Sequence, residues 1–434
     1  MMRFAQPPLQ LERFSMSEPY KRLNEMLLQA TAMDAGFRGL VRSEPITLAA
    51  AQYTGFHDRY HVIKNFQQTV LDLCNRSLKR EIDPVIAKVL LNEILPAFGE
   101  DYHRSVLEWR LDTPIFFRTD ESVPGKITEI QCPGSGWGEC SVLADYYTEQ
   151  GFECGCLSNL PQRFVQDVNS LFPNGEARIH YLLDNCALPN TTTYFIQQTR
   201  KHHLQYFAFD RRLRARDANL IRSHTFLGLI GECNFSERLA KYREGELIFD
   251  FPPTMIFDQK MSLLLPFWSH TRAYFDDRVR EIFPHTSLVT PDGVTLASGE
   301  SMTLEQFATR SPWDRDCYLK YAGYDIPLHL EGRGVYYFGE MTAHHCREIL
   351  SGVAADYRRG KYWILQESYQ EQAEARYFEA DGRRQSGSFD TKYSAYYGPS
   401  GLMSIDVMHG RGAILRQSLS TVIGVCLMPE MCVV

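Results

Sequence analysis

Residues 114–131, PIFFRTDESVPGKITEIQ, predict a β-hairpin. PIFFRTD is a short strand, ESVPGK is a turn containing proline and glycine, and ITEIQ is a second strand with alternating faces. Because residues two apart on a strand share a face, Arg118 points the same way as Asp120, and Glu129 the same way as Gln131. The turn therefore places two carboxylates and an amide oxygen around one point, beside an arginine.

This set of oxygen atoms suits Mg²⁺, a hard cation that takes oxygen ligands from carboxylates and from substrate phosphates. The alternative is an exposed hairpin whose polar face is simply wet. An exposed Arg–Asp pair on such a face contributes little to stability. The hairpin alone does not decide between these two interpretations.

The rest of the chain predicts a protein of the α+β or α/β class. Residues 18–110 have the apolar spacing of helices, and residues 176–209 predict a β-α-β unit with parallel strands. From about residue 285 the chain becomes rich in strand patterns. Residues 372–395 are polar and contain Gly and Ser, so we expect a mobile loop there, and residues 400–425 predict a closing hairpin.

Two lysines suggest a site for phosphate groups. Lys320 ends the strand CYLK, before a glycine-bearing stretch that contains Gly332 and Gly334, and Lys260 lies earlier in the chain. A lysine that leaves a strand beside glycines can reach phosphate oxygens while backbone amides come close. Isolated lysines are usually exposed to solvent, so this pattern alone is weak.

The strand WILQESY, residues 363–369, ends in Gln366 and Glu367. Such a strand end can present backbone groups to an adenine edge and a carboxylate to a ribose, although a strand that runs into a polar loop is an equally good interpretation. His344 and His345 are adjacent on a predicted helix and diverge by about 100°, so they cannot both face one metal ion. The chain has no GxSxG motif and no GxGxxG dinucleotide motif.

Net charge, apolar runs and the cysteine pattern argue against several classes of function. The formal net charge of -7 opposes non-specific nucleic-acid binding, which depends on many Lys and Arg contacts to phosphate. We find no signal-peptide pattern and no apolar run near the ~20 residues of a membrane span. The eleven cysteines contain no CxxC pair, which favours reduced thiols. We therefore expect a cytoplasmic protein that binds neither nucleic acid nor a membrane; its oligomeric state is not readable.

Taken in their order along the chain, these motifs resemble the synthetase domain of glutathionylspermidine synthase, a circularly permuted ATP-grasp family. The family pattern R-x-D, a turn, L-E-x-N and a following glutamate is similar to Arg118-Thr119-Asp120, Glu129-Ile130-Gln131 and Glu139. The family motif S-N-K with L-P-x-x-W is similar to Lys260 followed by LLLPFW, and the family's strand lysine is similar to Lys320. Its glycine-rich stretch is similar to Gly332-Arg333-Gly334, its Q-E pair to Gln366-Glu367, and its late arginine to Arg416.

The resemblance implies a fold and an activity. The fold would be a circularly permuted ATP-grasp with an N-terminal helical region (1–112), a metal-binding hairpin with a small parallel-sheet preATP-grasp-like domain (113–250), and nucleotide-binding lobes (251–434). The activity would be ATP- and Mg²⁺-dependent ligation of a small-molecule carboxylate to an amine through an acyl phosphate. The stretch 372–395 would be a lid that shields this intermediate from water.

The resemblance also implies roles for single residues. Asp120, Glu129 and Gln131 would hold Mg²⁺, while Arg118 and Arg416 would be catalytic. The nucleotide would contact Lys260, Lys320, Gly332, Gly334, Gln366 and Glu367. Ser135, Trp137 and Glu139 would contact substrate.

Two departures from the family pattern keep alternatives open. Gln131 replaces an asparagine, and Tyr321 replaces the proline after the strand lysine. A nucleotide-binding protein without ligase activity is therefore a second hypothesis. A third is an α/β oxidoreductase built on residues 176–209, although the missing dinucleotide motif argues against it.

Overall fold

The protein has a mixed α+β fold with one large mixed sheet and three smaller sheets in its described part. No helix of this part is long and apolar enough to cross a membrane. A computed structural model describes residues 18–30, 40–91, 113–132, 136–152, 160–173, 177–182, 190–207, 218–223, 240–250, 256–323, 328, 333–379, 381–415 and 421–427.

The helices are amphipathic or buried. The longest carries buried apolar residues at three- and four-residue spacing, among them Phe56, Ile63, Phe66 and Val70, which is the stripe of a helix packed on a core. The α-helices are α1 (Glu18–Ala30), α2 (Ala50–Leu78), α3 (Pro84–Leu91), α4 (Trp137–Glu149), α5 (Leu160–Ser170), α6 (Asn190–Lys201), α7 (Asp277–Ile282), α8 (Leu304–Thr309) and α9 (Ala343–Arg358); short 3₁₀ helices cover Lys260–Leu264, Arg272–Tyr274, Pro312–Arg315 and Phe338–Glu340.

The strands alternate buried and more exposed residues where one face of a sheet is covered. They are β1 (Leu40–Arg42), β2 (Ile46–Thr47), β3 (Phe117–Val123), β4 (Lys126–Gln131), β5 (Arg178–Leu182), β6 (Gln205–Phe207), β7 (Leu220–Ser223), β8 (Ile248–Phe249), β9 (Thr286–Leu288), β10 (Val294–Thr295), β11 (Ser301–Met302), β12 (Cys317–Tyr321), β13 (Val335–Tyr337), β14 (Trp363–Glu367), β15 (Gln372–Phe378), β16 (Arg384–Gly398), β17 (Gly401–Gly410) and β18 (Val422–Leu427).

The large sheet has the strand order β15-β1-β18-β17-β16-β3-β4, with β2 beside β18. Its pairs are antiparallel except β1–β18 and β2–β18. The sheet joins strands from each of the three predicted segments, 1–112, 113–250 and 251–434, through main-chain hydrogen bonds. The division into domains stays a prediction, and the N-terminal segment contributes two strands as well as the predicted helices.

Both predicted hairpins are present. β3 and β4 pair antiparallel across a turn at Pro124 and Gly125, and β17 pairs antiparallel with β18. The predicted loop at 372–395 is wrong, because most of this stretch lies in β15 and β16, which pair with each other. β15 also pairs with β1, so the stretch is part of the large sheet.

Two four-strand sheets in the described part flank the large one. The parallel sheet β6-β5-β7-β8 contains the predicted β-α-β unit as β5, α6 and β6. The antiparallel sheet β13-β12-β14-β9, called here the small antiparallel sheet, contains the predicted strands that carry Lys320 and Gln366. The helix predicted around Lys260 is a short 3₁₀ helix.

The core lies mainly against one face of the large sheet. Tyr393, Ala395 and Tyr397 of β16 belong to the largest buried apolar cluster, together with residues of α2 such as Phe56. Because side chains alternate along a strand, Ser394 and its neighbours at two-residue spacing point to the opposite face. That opposite face carries the polar groups of the candidate site.

Candidate functional site

A row of polar side chains crosses four strands of the large sheet. Glu129 of β4 lies opposite Asp120 of β3, Asp120 lies opposite Ser394 of β16, and Ser394 lies opposite Asp406 of β17. Residues directly opposite in a sheet share a face, so the predicted approach of Asp120 and Glu129 is observed. A buried polar row costs stability unless its members are paired, so its partners matter.

Asp120 is the most heavily paired member of the row. Its carboxylate is 2% exposed and lies 2.9 Å from Nε of Arg118, 2.9 Å from Nζ of Lys392 and 3.0 Å from the Ser394 hydroxyl that donates to it. Burial favours the neutral acid. The charges of Arg118 and Lys392 outweigh burial and hold the pKa of Asp120 well below its usual value.

Glu129 pairs with a different cation. Nζ of Lys260 lies 2.8 Å from its carboxylate, at the start of the 3₁₀ helix. Burial opposes ionisation, but Lys260 lowers the pKa of Glu129. Burial likewise opposes the charge of Lys260, and Glu129 raises the pKa of this lysine. Both groups are therefore charged near neutral pH.

Lys320 joins the small antiparallel sheet to the large sheet. Its Nζ donates to the main-chain oxygen of Thr128, at 3.0 Å, and to Oε1 of Gln366, at 2.7 Å. The side-chain amide of Gln366 donates in turn to Thr286. Burial lowers the pKa of Lys320 to about 8 even though Glu129 opposes this shift. The lysine therefore sits where little solvent stabilises its charge.

The cluster between the two sheets holds more cations than ionised acids. Four basic side chains gather near the Asp120–Glu129 pair, and the pKa of both acids is lowered. An excess of buried positive charge is what a polyanion such as a phosphate chain would neutralise. The basic side chains are Arg118, Lys260, Lys320 and Lys392.

The sequence argument missed Lys392 and Ser394. Both lie on β16, more than 260 residues after β3 in sequence, and both contact the Asp120 carboxylate. The segment around them alternates polar and aromatic residues, which is typical of a strand with one buried face. That pattern could have placed these two side chains on one face, but it does not indicate which strand lies beside them.

The donor set can be compared with a Mg²⁺ site. No group of three or more His, Cys, Asp or Glu residues suited to a metal occurs in the described part of the chain. The predicted set has only two acids, Asp120 and Glu129, and Gln131 lies two pairs further along the hairpin, opposite Arg118. Two cross-strand carboxylates on one face fit a magnesium ion that takes its remaining ligands from phosphate and water.

The glycine-rich turn before α4 approaches this cluster closely. Gly136 has φ of 99°, and a Cβ there would lie 2.2 Å from the Tyr396 hydroxyl and 3.4 Å from Nη1 of Arg118. Only glycine fits this position. Trp137, a predicted substrate contact, is 5% exposed and packs on Phe116 and Tyr396 in the core. Glu139 lies in the first turn of α4 and is partly exposed.

The predicted nucleotide contacts stay predictions, and the described ones have partners within the protein. The Gly334 N–H donates to the Leu328 carbonyl at 2.9 Å, so this amide already has a partner. The Gln366 side chain holds Lys320, and Glu367 accepts a hydrogen bond from the Tyr369 hydroxyl at 3.0 Å. The predicted residues that lie outside the described part are Ser135, Gly332 and Arg416.

A separate cavity of about 840 Å³ lies beside the small antiparallel sheet. Leu264, Trp268, His285, Thr286 and Leu288 are among its lining residues. The described residues that line it include none of the predicted site residues. Two of its lining residues connect it to the site. Leu264 is the last residue of the 3₁₀ helix that begins at Lys260, and Thr286 accepts a hydrogen bond from Gln366.

Comparisons with known proteins add little to this geometry. No protein-family model matches the sequence, and no curated protein matches it. Among solved structures, the chain is similar to a glutathione synthetase-like effector from Globodera pallida in apo form, with a TM-score of 0.49 and 9% identity over 95% of this chain and 96% of that one. It is also similar to a proposed gamma-glutamylcysteine synthetase from Methylobacillus flagellatus, with a TM-score of 0.39 and 12% identity over 79% and 84%. Neither similarity is strong enough to assign a family or an activity.

Proposed function

We propose that this chain is an ATP- and Mg²⁺-dependent carboxylate–amine ligase of the circularly permuted ATP-grasp type. One observation carries the proposal: Lys320 of the small antiparallel sheet donates to the main chain of Thr128, next to Glu129. This contact gathers the Asp120–Glu129 pair and the four basic side chains between two sheets. Such a cluster of cations is suited to a nucleotide triphosphate.

The basic side chains would bind the phosphate groups. Lys260 and Lys320 come from two different elements, a 3₁₀ helix and β12. Both are about 7% exposed, so their charges interact more strongly with an anion than surface lysines would. Lys392, which pairs with Asp120, adds a third ammonium from β16.

Asp120 and Glu129, with Gln131, would hold Mg²⁺. When bound there, the ion would neutralise phosphate charge and act as a Lewis acid. Lys260 and Lys392 occupy the two carboxylates in this structure, so they are placed to move onto phosphate oxygens as the ion binds. In the protein without ligand, each of the two carboxylates is thus paired with a cation, and the remaining positive charge is what the phosphate groups would neutralise.

The reaction would proceed in two steps. A substrate carboxylate oxygen would attack the γ-phosphorus of ATP, and the bond to the ADP oxygen would break. An amine would then attack the acyl carbon, with loss of phosphate and of one proton from nitrogen. The protein would position these groups and neutralise charge, with Arg118 beside the transferring phosphoryl group.

Calorimetric titration with ATP, in the presence and absence of Mg²⁺, tests the proposal. We expect binding that is strengthened by Mg²⁺ and weakened in Asp120→Asn/Glu129→Gln. The matched control is Glu379→Gln/Asp381→Asn, which neutralises two exposed carboxylates that pair with Arg383. No ATP binding by folded wild-type protein would refute the proposal.

A nucleotide-binding protein without ligase activity is the second candidate. It is favoured by the dense pairing of Asp120, whose carboxylate already has contacts from three side chains. ADP release in mixtures of small carboxylic acids and amines separates the two candidates. Tight ATP binding with no acid- and amine-dependent ADP release would support the second.

A further inference from the structure

Asp406 of β17 is a buried carboxylate with an unmatched oxygen. It is 7% exposed and lies in the same cross-strand row as Ser394 and Asp120. Its Oδ2 accepts a hydrogen bond from the Tyr396 hydroxyl at 2.8 Å. Its Oδ1 is buried without a hydrogen-bond partner in the described part of the chain. A buried carboxylate oxygen of this kind is costly and calls for a functional reason.

Arg118 is the cation placed to meet this oxygen. Arg118 lies directly opposite Tyr396 in the sheet, and Tyr396 bonds to Asp406. The Arg118 guanidinium and the Tyr396 hydroxyl also both approach Gly136, where an added Cβ would lie 3.4 Å from Nη1 and 2.2 Å from the hydroxyl. The guanidinium acts on two carboxylates of the row. It contacts Asp120 directly, and its charge opposes the rise that burial causes in the pKa of Asp406. Asp406 has no ion pair within 4.0 Å among the described residues.

If Asp120 binds a metal ion, the Arg118 guanidinium loses its partner and requires a second carboxylate. Arg118 holds Asp120 at short range, since Nη2 donates to Oδ2 at 3.1 Å and Nε lies 2.9 Å from Oδ1. A metal ion that takes an Asp120 oxygen competes with this ion pair. A displaced guanidinium that remained buried without a partner would be strongly unfavourable.

We propose that Asp406 is a positioning residue that receives the Arg118 guanidinium when the Asp120 carboxylate binds Mg²⁺. This inference rests on the proposed function. In the metal-free protein, Arg118 pairs with Asp120. In the metal-bound protein, one edge of the guanidinium pairs with Asp406 and the other faces the transferring phosphoryl group. Asp406 thereby lowers the free energy needed to release Asp120 for the metal, without touching substrate or metal itself.

The test compares two dissociation constants of ATP, one with Mg²⁺ and one with EDTA, in wild type and in Asp406→Asn. We expect the strengthening of ATP binding by Mg²⁺ to fall about tenfold or more in Asp406→Asn. Binding without metal should be unchanged, because Arg118 still pairs with Asp120 in both proteins. Asp167→Asn is the control, since Asp167 is also a buried carboxylate and accepts hydrogen bonds from Ser400.

Several outcomes overturn the inference. An unchanged Mg²⁺ effect in folded Asp406→Asn would do so, and so would an equal fall in Asp167→Asn. In an Arg118→Ala background, adding Asp406→Asn should have no further effect, and an additive fall would contradict the exchange. Wild-type protein that binds ATP equally with and without Mg²⁺ would instead refute the metal part of the proposed function.

Tyr396→Phe provides a second variant in case Asp406→Asn does not fold. Burial raises the pKa of Asp406, and the hydrogen bond from Tyr396 opposes that rise, so removing the phenol hydroxyl favours the protonated acid, which receives Arg118 less well. The strengthening of ATP binding by Mg²⁺ is therefore expected to fall in Tyr396→Phe while binding without metal is unchanged. An unchanged Mg²⁺ effect in folded Tyr396→Phe would contradict the inference.

Discussion

The Lys320 ammonium and the Gln366 side-chain oxygen lie 2.7 Å apart on the adjacent strands β12 and β14. Gln366 is fully buried, and its amide nitrogen donates to Thr286. The glutamine therefore holds the lysine at the point where the small antiparallel sheet meets the large one. The backbone contact to adenine that the strand-end pattern predicted stays a prediction beside this side-chain contact.

Gln366→Leu should destabilise the fold by about 1–3 kcal/mol, because the buried ammonium and the Thr286 hydroxyl each lose a partner. The free energy of unfolding from urea titrations measures this. Gln372→Leu is the control: Gln372 lies at the exposed start of β15, so its change should stay within about 0.5 kcal/mol. Equal effects in the two variants would contradict the role assigned to Gln366.

ATP binding without metal should weaken as the pH rises through about 8. Burial lowers the pKa of Lys320 to about 8, so this lysine loses its proton above that pH and no longer attracts phosphate. We expect a loss of about tenfold, the usual worth of one charge-assisted contact. Lys320→Arg stays charged, since arginine is not deprotonated in proteins, and should bind ATP with little pH dependence. The same pH dependence in both proteins would refute this assignment.

Gly136→Ala should destabilise the fold far more than Gly151→Ala. Both glycines have positive φ, 99° and 87°, so alanine is strained at either position by about 1–2 kcal/mol. A Cβ at Gly151 meets nothing within 4 Å, whereas one at Gly136 would lie 2.2 Å from the Tyr396 hydroxyl. Thermal or urea unfolding of the two variants compares strain alone with strain plus a clash. Equal losses would show that the turn can move away from Tyr396.

Arg59→Met should cost about 3–5 kcal/mol, because burial raises the pKa of Glu121 and the variant removes the cation that stabilises its ionised form. Nη2 of Arg59, on α2, lies 2.8 Å from Oε2 of Glu121, whose side chain is fully buried on the core face of β3. The Gly125 N–H donates to the same oxygen, so the pair also supports the hairpin turn. Urea unfolding gives the loss.

The double variant Arg59→Met/Glu121→Leu is the matched control for this pair. It removes both charges and replaces them with apolar groups of similar size, so it should be more stable than Arg59→Met alone. If the double variant is less stable than the single one, the buried charge is not the cause of the loss.

The hairpin of Arg118 and Asp120 could be predicted because its information is local. A turn with Pro124 and Gly125 joins two short alternating segments, and alternation assigns each side chain to a face. The prediction failed at 372–395 for a related reason. β15 is an amphipathic strand with few buried residues, so its polar composition suggested a loop, although Ala375 is fully buried.

The sequence by itself determined which side chains share a face of a strand, because that depends only on the two-residue period of the backbone. It therefore predicted the Asp120–Glu129 pair. Only the tertiary structure decided that Lys392 and Asp406 lie in or beside the same row and that Lys320 reaches Thr128. Strand neighbours distant in sequence are selected by burial and main-chain hydrogen bonding across the whole sheet, and no local pattern encodes that choice.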